Sequence, residues 1–253
     1  MTPKSSRIQE IERDWNPEAI WRVSTANEEV SFNLPAFGQG AYDAVIKKVL
    51  TNKQRLPTGE QIAFMLDEAY NSKDEAVKNN PRAGFVRDDI IGNALLWVPH
   101  VNVWTPNSAE NPGMYSVFDE EGEGLSRKYT IEELEDKLSG CPAEREVRFS
   151  KDRKVAFAPL NTFASGCHGK KTLSDDGAVR AVYGIGGAEK LDNVANVFPY
   201  NPYSFVFCNN SQKLIQTLSA LYRYWNGDGM LVAYFDSDGD SRNGYVLSVS
   251  GSK

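Results

Sequence analysis

The chain has 253 residues, of which 41% are hydrophobic and 11% aromatic, and its formal net charge is −6 at pH 7. This length and composition exclude intrinsic disorder and predict one large domain or two small ones. The negative charge argues against nucleic-acid binding, which usually needs a basic face. No apolar run reaches about eighteen residues, so the sequence predicts no membrane span.

The N-terminal residues lack the apolar segment that a secretion signal needs. The sequence therefore predicts a cytoplasmic protein, and display on a cell surface or a virion would need a route that the sequence does not reveal. Cys141, Cys167 and Cys208 are odd in number and lack the spacing of metal ligands. We expect reduced thiols, no metal ion and no cofactor.

The predicted elements begin with a short helix within residues 1–15, where isoleucines and a tryptophan follow helical spacing. A strand pair follows, at residues 20–25 and 30–34, with a turn between the two strands. Alternation of apolar and polar residues in the second strand supports this assignment.

Two amphipathic helices come next, at residues 41–52 and 58–70. The second helix is predicted to begin with a capping box, in which the side chains of Thr58 and Gln61 each accept a hydrogen bond from the other residue's backbone N–H group. Residues 71–93 are polar and are predicted to form short helical segments.

The middle of the chain predicts short strands and helices in alternation. Residues 94–104 are an apolar run that contains Pro99, which predicts two short strands broken at the proline. Residues 114–118 predict a strand, and residues 130–138 a helix that Thr130 caps. The remaining predicted elements are a hairpin of residues 147–149 and 155–157, a strand at 178–183, a helix at 188–197, a strand at 203–208, a helix at 214–225 whose spacing also fits a strand, and a closing hairpin of residues 230–235 and 245–249.

One pattern resembles a calcium site. Asp236, Asp238 and Asp240 have the spacing of a calcium-binding loop. Ser241 and Leu247 stand where an EF-hand has the Gly at its sixth position and the Glu at its twelfth. We therefore expect no stoichiometric calcium at this loop.

Two further patterns resemble catalytic or cofactor-binding motifs without completing them. Gly184 and Gly186 lack the third glycine of a dinucleotide-binding fingerprint, and they indicate a helix start that needs small residues. Cys167 and His168 could form a nucleophile and a base, but adjacent residues rarely face each other. His100 is the only other histidine, so no third orienting group is evident.

The last forty residues differ in composition from the rest of the chain. There is no Lys and no Glu between Leu214 and Ser252, although the whole chain has 15 Lys and 18 Glu. Tyr, Ser, Asn, Asp and Gly fill most of these positions. This composition is typical of recognition surfaces, because Tyr gives contact area at low entropic cost and small polar residues give adaptable hydrogen bonds. A solvated hairpin with a polar turn is the alternative interpretation.

Two segments together resemble the C-type lectin fold of formylglycine-generating enzymes and of the variable proteins of diversity-generating retroelements. The residues from Arg55 to Thr58 read Arg-Leu-Pro-Thr and are similar to the start of the second helix in that superfamily, although Gln61 and Ile62 replace its usual Glu-Trp. Residues 221–249 are similar to the terminal variable segment, which ends in a Gly-aromatic strand. The whole chain most resembles an archaeal variable protein of this kind.

This resemblance implies an α+β fold with two helices packed on small antiparallel sheets. It implies one C-type lectin-like domain of residues 16–253, with an insertion at about 107–200 and a variable segment at about 219–245. The formylglycine-generating activity is not implied, because those enzymes need a cysteine pair near the C-terminal segment, where this chain has Cys208 alone. The resemblance implies a hypervariable ligand-binding protein without enzymatic activity.

The retroelement mechanism divides the C-terminal segment into two sets of residues. Reverse transcription rewrites adenines, typically in Asn codons, and the resulting codons cannot encode Lys, Glu, Gln, Met or Trp. Gln216, Trp225 and Met230 are therefore predicted to be scaffold residues. The predicted variable, ligand-binding residues are Tyr222, Tyr224, Asn226, Asp228, Tyr234, Asp236, Ser237, Asp238, Asp240 and Asn243.

The resemblance implies a protein or glycan ligand, on another cell or on a virus, and neither a nucleic acid nor a membrane span. Two alternatives stay open. One is an enzyme of the formylglycine-generating superfamily with an unrecognised site that involves Cys167 and His168, and the other is a viral structural or assembly protein. We also expect the last strand, at residues 245–249, to pair with the strand at 20–25.

Overall fold

The computed structural model describes residues 7–11, 18–91, 94–106, 108, 111–164, 166–167, 172–205, 214–223, 231–236 and 244–250. Helices and strands are mixed in it, as an α+β protein requires. The strands are β1 (Arg7–Ile11), β2 (Glu18–Ser24), β3 (Glu29–Gly40), β4 (Leu95–Trp104), β5 (Gly113–Phe118), β6 (Ala143–Glu144), β7 (Val147–Phe149), β8 (Val155–Pro159), β9 (Gly166–Cys167), β10 (Tyr203–Phe205), β11 (Ile215–Arg223), β12 (Leu231–Asp236) and β13 (Gly244–Val249). The helices are α1 (Tyr42–Thr51), α2 (Gly59–Asn71), α3 (Glu75–Lys78), α4 (Pro81–Gly84) with a π-helical turn after it (Phe85–Ile90), α5 (Ile131–Leu138) and α6 (Gly177–Ala195).

The strands form one 13-stranded sheet rather than the small antiparallel sheets that the resemblance implies. The main order of strands is β1-β2-β3-β13-β4-β11-β12-β10-β9, and β5, β8, β7 and β6 continue from β4. The pairs β13–β4 and β10–β12 are parallel, and the other pairs are antiparallel. Part of the predicted insertion is continuous with this sheet, because β5 pairs with β4.

The last strand lies inside the sheet, between β3 and β4. Val249 pairs with Phe32 of β3, and Gly244 pairs with Leu95 of β4. The predicted pairing of this strand with residues 20–25 is wrong. Those residues belong to β2, which is already paired on both sides, with β1 and β3, and β13 pairs instead with β3, the next strand in the sheet. The predicted closing hairpin is also wrong, since β12 pairs with β11 and β10 instead of β13.

Two hydrophobic clusters lie on opposite faces of the sheet. Alternate residues of β4 separate them: Trp97 belongs to the cluster that α1 covers, whereas Leu96 and Val98 belong to the cluster that α2 covers. We call these the α1 cluster and the α2 cluster. The α1 cluster includes Tyr42, Val45, Ile46 and Val49 of α1, and the α2 cluster includes Ile62, Ala63, Met65, Leu66 and Ala69 of α2.

The local start signals of the helices are confirmed. The Thr58 hydroxyl accepts a hydrogen bond from the Gln61 N–H at 3.3 Å, and the Gln61 side-chain oxygen accepts one from the Thr58 N–H at 2.9 Å. Thr130 caps α5 by accepting from the Glu133 N–H at 3.2 Å. These bonds satisfy backbone donors that the first turn of a helix leaves without partners.

The predicted N-terminal helix is wrong, because the structure places residues 7–11 in a strand. Arg7 pairs with Arg22, and Ile11 pairs with Glu18, in an antiparallel ladder with β2. An isolated helix of this length is marginal in water, whereas the edge of a sheet supplies backbone hydrogen-bond partners along its whole length.

The predicted strand at residues 178–183 is also wrong, because these residues form the first half of α6. Asp176 caps this helix by accepting from the Ala178 N–H at 2.8 Å. The segment is buried on all sides, so it has no polar face that would reveal a helical period. Gly184 has a φ of 68°, which interrupts the helix with a kink before it continues to Ala195.

Two other predicted elements, the helix at residues 214–225 and the broken strand at residues 94–104, are also wrong. Residues 215–223 are a strand instead of a helix, because β11 is buried between β4 and β12 and its leucines face both clusters. The run around Pro99 is one strand instead of two. Between Val98 and Val101 the register with β11 shifts, which leaves Pro99 and His100 unpaired on that side as a bulge.

The kink of α6 packs against the start of α2 at a distance that only glycine allows. A Cβ atom on Gly59 would lie 2.2 Å from the Val182 carbonyl oxygen, which is a backbone atom and cannot rotate away. Gly187 is similarly close, since its Cβ would lie 3.0 Å from the Glu60 Cα. Gly184, Gly186 and Gly187 therefore serve the contact between the two helices.

We expect Gly59→Ala to lower the free energy of unfolding by about 1–3 kcal/mol, because the added methyl group overpacks this contact. Gly84→Ala is the matched control. Its Cβ would lie 3.9 Å from the ends of the flexible Arg87 and Asp88 side chains. The control should be neutral or raise stability by about 0.5–1 kcal/mol through helix propensity. Urea unfolding measures both, and equal effects of the two substitutions would contradict the packing argument.

Candidate functional site

The predicted recognition segment is anchored at one end of the sheet. Leu221 of β11 and Tyr245 of β13 both pair with Leu96 of β4. These two residues therefore lie two strand spacings apart, about 10 Å. Arg223 at the end of β11 pairs with Leu231 at the start of β12. The end of β11 and the starts of β12 and β13 thus lie together at this end, which we call the Leu95 end.

The structure describes the backbone of three predicted variable residues. Tyr222 lies on β11, and Tyr234 and Asp236 lie on β12. Tyr234 pairs with Ala220 and Asp236 with Leu218, so by register these positions belong to the same face of the sheet as Tyr222. The other predicted variable residues lie outside the described residues: Tyr224, Asn226, Asp228, Ser237, Asp238, Asp240 and Asn243.

The strands that enclose this segment are buried. Leu221, Val246 and Leu247 are 0% exposed, whereas Tyr222 is half-buried. Gln216, a predicted scaffold residue, has a structural role. Its side-chain oxygen accepts from the Tyr129 N–H at 3.2 Å, and its amide donates to the Arg127 carbonyl at 2.7 Å. The two other predicted scaffold residues, at 225 and 230, lie outside the described residues.

A cleft of about 330 Å³ lies at the opposite end of the sheet. β13 runs from Gly244 at the Leu95 end to Val249, which pairs with Phe32 of the antiparallel β3. The start of β3, at Glu29, therefore lies at the end of the sheet away from Leu95. The cleft is lined by the β2–β3 turn, the start of α2, the β7–β8 hairpin and the kink of α6. The side chains that line it include Glu28, Glu60, His100, Phe118, Arg153 and Lys154.

His100 lies at the floor of the cleft and is held by two hydrogen bonds. Its Nε2 accepts from the Gly59 N–H at 3.3 Å, which leaves the proton on Nδ1 to be donated to the Ser116 hydroxyl at 3.0 Å. Burial lowers the pKa of His100 to about 3. His100 is therefore neutral near pH 7 and orients the start of α2, so neither nitrogen is free to act as a base.

The charged groups of the cleft differ in whether they have partners. Arg153 forms an ion pair with Glu144 at 2.9 Å, and its guanidinium stacks on the Phe149 ring at 4.4 Å. Lys154 forms an ion pair with Glu120. Burial raises the pKa of the Glu60 carboxyl, Arg153 opposes this effect, and the charge of Glu28 adds to it.

The other patterns noted in the sequence are only partly covered by the residues that the structure describes. Within these residues no group of three His, Cys, Asp or Glu side chains could hold a metal ion. The backbone of Cys167 pairs with Tyr203, and His168 lies outside the described ranges, so the pair of Cys167 with His168 stays a prediction. Asp238 and Asp240 of the predicted calcium-like loop also lie outside them. In the described ranges, no helix has the length and apolar composition that crossing a bilayer requires.

Sequence reasoning missed the cleft entirely. Its lining comes from segments that are far apart in the chain. Among the lining residues, Arg55 and Thr58 belong to the Arg-Leu-Pro-Thr motif, and Thr58 and Gln61 form the predicted capping box. The glycines at 184–187 were a second signal, but they indicated a helix start and not the floor of a cavity.

Comparisons with known proteins give one structural similarity. No protein-family model matches the chain, and no curated protein matches it. Among solved structures, the chain is similar to one described as "Accommodation of massive sequence variation in Nanoarchaeota by the C-type lectin fold". The sequence identity is 11% and the TM-score is 0.42, over 90% of this chain and 99% of that chain.

Proposed function

We propose that the protein is a non-enzymatic ligand-binding protein with a C-type lectin-like scaffold, and that its C-terminal segment is a diversified recognition site. The observation that carries this proposal is the anchoring of the segment. Buried β11 precedes it, buried β13 follows it, and both pair with β4 at the Leu95 end. A rigid frame that holds a polar, tyrosine-rich segment is how binding loops are generally built.

The division between scaffold and variable residues supports the same proposal. Leu221 is fully buried, whereas Tyr222, the first predicted variable residue, is half-buried and packs against the α1 cluster. Diversity is tolerable only where side chains are not packed in the core, because truncation of a buried side chain costs about 2–5 kcal/mol. By register Tyr222, Tyr234 and Asp236 share one face of the sheet, the face on which Leu218 and Ala220 belong to the α1 cluster.

The ligand that we propose is a protein or a glycan on another cell or on a virus. Tyr, Asn, Ser and Asp side chains offer aromatic contact area and both hydrogen-bond donors and acceptors, which suits either ligand. The structural role of His100 favours binding over catalysis, since both of its ring nitrogens are engaged in the fold.

Sequencing the DNA around the gene tests whether the segment is diversified. We expect a near-copy of the coding segment for residues 219–245 that differs almost only at adenines, beside a reverse-transcriptase gene. Clones from one lineage should then differ at the predicted variable positions and be identical at the codons of Leu221 and Leu247. Variation spread evenly over buried and exposed positions, or the absence of a near-copy, would contradict diversification.

A further inference from the structure

The cleft at the end of the sheet opposite the Leu95 end is built like a small-molecule site. Its volume of about 330 Å³ lies at the lower end of the range for ligand pockets, about 300–1,000 Å³. The floor contains Val182 at the kink of α6, and the half-buried Phe118 ring forms part of a wall. Such a cavity can hold a short alkyl chain that has a polar group at its end.

The cations of the cleft are already engaged within the protein. Arg153 is paired with Glu144, and Lys154 is paired with Glu120. Arg55 also interacts with other groups of the protein. A bound anion would have to compete with these partners for each positive charge.

Two carboxylates of the cleft, in contrast, retain free acceptor oxygens. Glu28 accepts one hydrogen bond through Oε1, from the Gln61 amide at 2.6 Å. Glu60 has no hydrogen-bond partner among the described residues, and its carboxylate lies against the kink of α6, since a Cβ on Gly186 would lie 3.2 Å from Oε1. Burial and the nearby charge of Glu28 raise the pKa of the Glu60 carboxyl, whereas the positive charge of Arg153 lowers it, so a bound cation beside Glu60 would add to the stabilisation that Arg153 provides.

The first half of α6 ends at the cleft, since Val182 and Gly184 are among the lining residues. Gly184 ends the first half of α6, and the last carbonyl groups of a helical segment lack partners within the helix. A helix C-terminus favours a positive group near it. The floor and the two carboxylates therefore select the same sign of charge.

We propose that this cleft binds a small organic cation, an alkyl chain that carries an ammonium or guanidinium group, with Glu60 and Glu28 as its counter-ions. The alkyl part contacts Phe118 and Val182, and the cationic group donates hydrogen bonds to the two carboxylates. A bare metal ion fits poorly, because within the described residues no third His, Cys, Asp or Glu joins them as a ligand. The described lining of this cleft includes no residue of the proposed recognition segment, 219–245.

Isothermal titration of the full chain with agmatine and with n-butylamine tests the proposal, and n-butanol serves as the uncharged control. We expect saturable binding of at least one amine and none of butanol. Glu60→Gln should weaken the amine's affinity by about tenfold or more, and Glu28→Gln by a smaller factor, because each removes a charge-assisted hydrogen bond. Glu29→Gln, the same charge change at an exposed neighbouring residue that does not line the cleft, should leave the affinity unchanged.

Thermal unfolding of each variant without ligand shows whether the fold is intact. Glu60→Gln should melt no lower than the parent protein, since it removes a half-buried charge without a hydrogen-bond partner. The absence of saturable binding for both amines would overturn the proposal. Equal affinities of the Glu60→Gln variant and the parent protein, or equal binding of butanol, would also overturn it. None of these outcomes bears on the recognition segment.

Discussion

A combinatorial library that replaces all the predicted variable residues together is expected to contain mostly folded proteins, whereas Leu221→Ala alone is expected to lower the free energy of unfolding by about 2–5 kcal/mol. Leu221 is fully buried in the α2 cluster and adjoins Tyr222 in the chain. Surface substitutions usually change stability by less than about 0.5 kcal/mol each. Thermal unfolding of sampled library members, beside the Leu221 variant, measures the difference.

The control for this experiment is a second library with the same number of sampled members. It randomises three buried residues of β13: Val246, Leu247 and Val249. Most of its members should be unfolded. Trp225→Ala, at a predicted scaffold position outside the described residues, is expected to cost several kcal/mol, as truncation of a buried aromatic side chain does. If the library at the variable positions unfolds while Leu221→Ala has no effect, the segment is part of the core and the proposed recognition site is wrong.

The second large expected effect is on the dependence of stability on pH. Burial lowers the pKa of native His100 to about 3, whereas the unfolded chain keeps a histidine pKa of about 6.5. Below about pH 6.5 the unfolded state therefore binds a proton that the native state does not bind. The free energy of unfolding then falls as the pH falls towards the native pKa. The loss due to His100 approaches about 1.4 kcal/mol per pH unit within this window.

The variant His100→Gln isolates this contribution. Glutamine can accept from the Gly59 N–H and donate to Ser116, but it does not titrate. Urea unfolding at pH 7, 5.5 and 4.5 should show the parent protein losing stability faster than the variant, and carboxylate contributions cancel in the difference. Parallel curves for the two proteins would mean that His100 protonates in the folded state as an ordinary histidine does.

Elements defined by neighbouring residues could be predicted from the sequence. The capping box of Thr58 and Gln61 and the apolar stripe of α1 depend on contacts within a few residues, and the structure confirms both. The pairing of β2 with β3 was predictable for the same reason, because a short turn fixes the register of a hairpin.

Elements defined by distant contacts could not be predicted. The first half of α6 and most of the strand β11 are buried, so the spacing of their apolar residues does not distinguish a helix from a strand. The position of β13 between β3 and β4 depends on strands more than a hundred residues away. The cleft could not be predicted for the same reason. Its carboxylates come from a turn and a helix that are distant in the chain and meet only in the folded protein.

The central position of β13 has a consequence for biosynthesis. Until the ribosome has released these residues, β3 and β4 have no strand between them, and the sheet is open at its middle. A chain whose reading frame shifts within residues 224–243 would never acquire β13, and its exposed core would mark it for proteolysis. Diversification of the type proposed rewrites codons immediately upstream of β13. Faulty rewriting would thus eliminate its own product, and only correctly framed variants would reach their ligand.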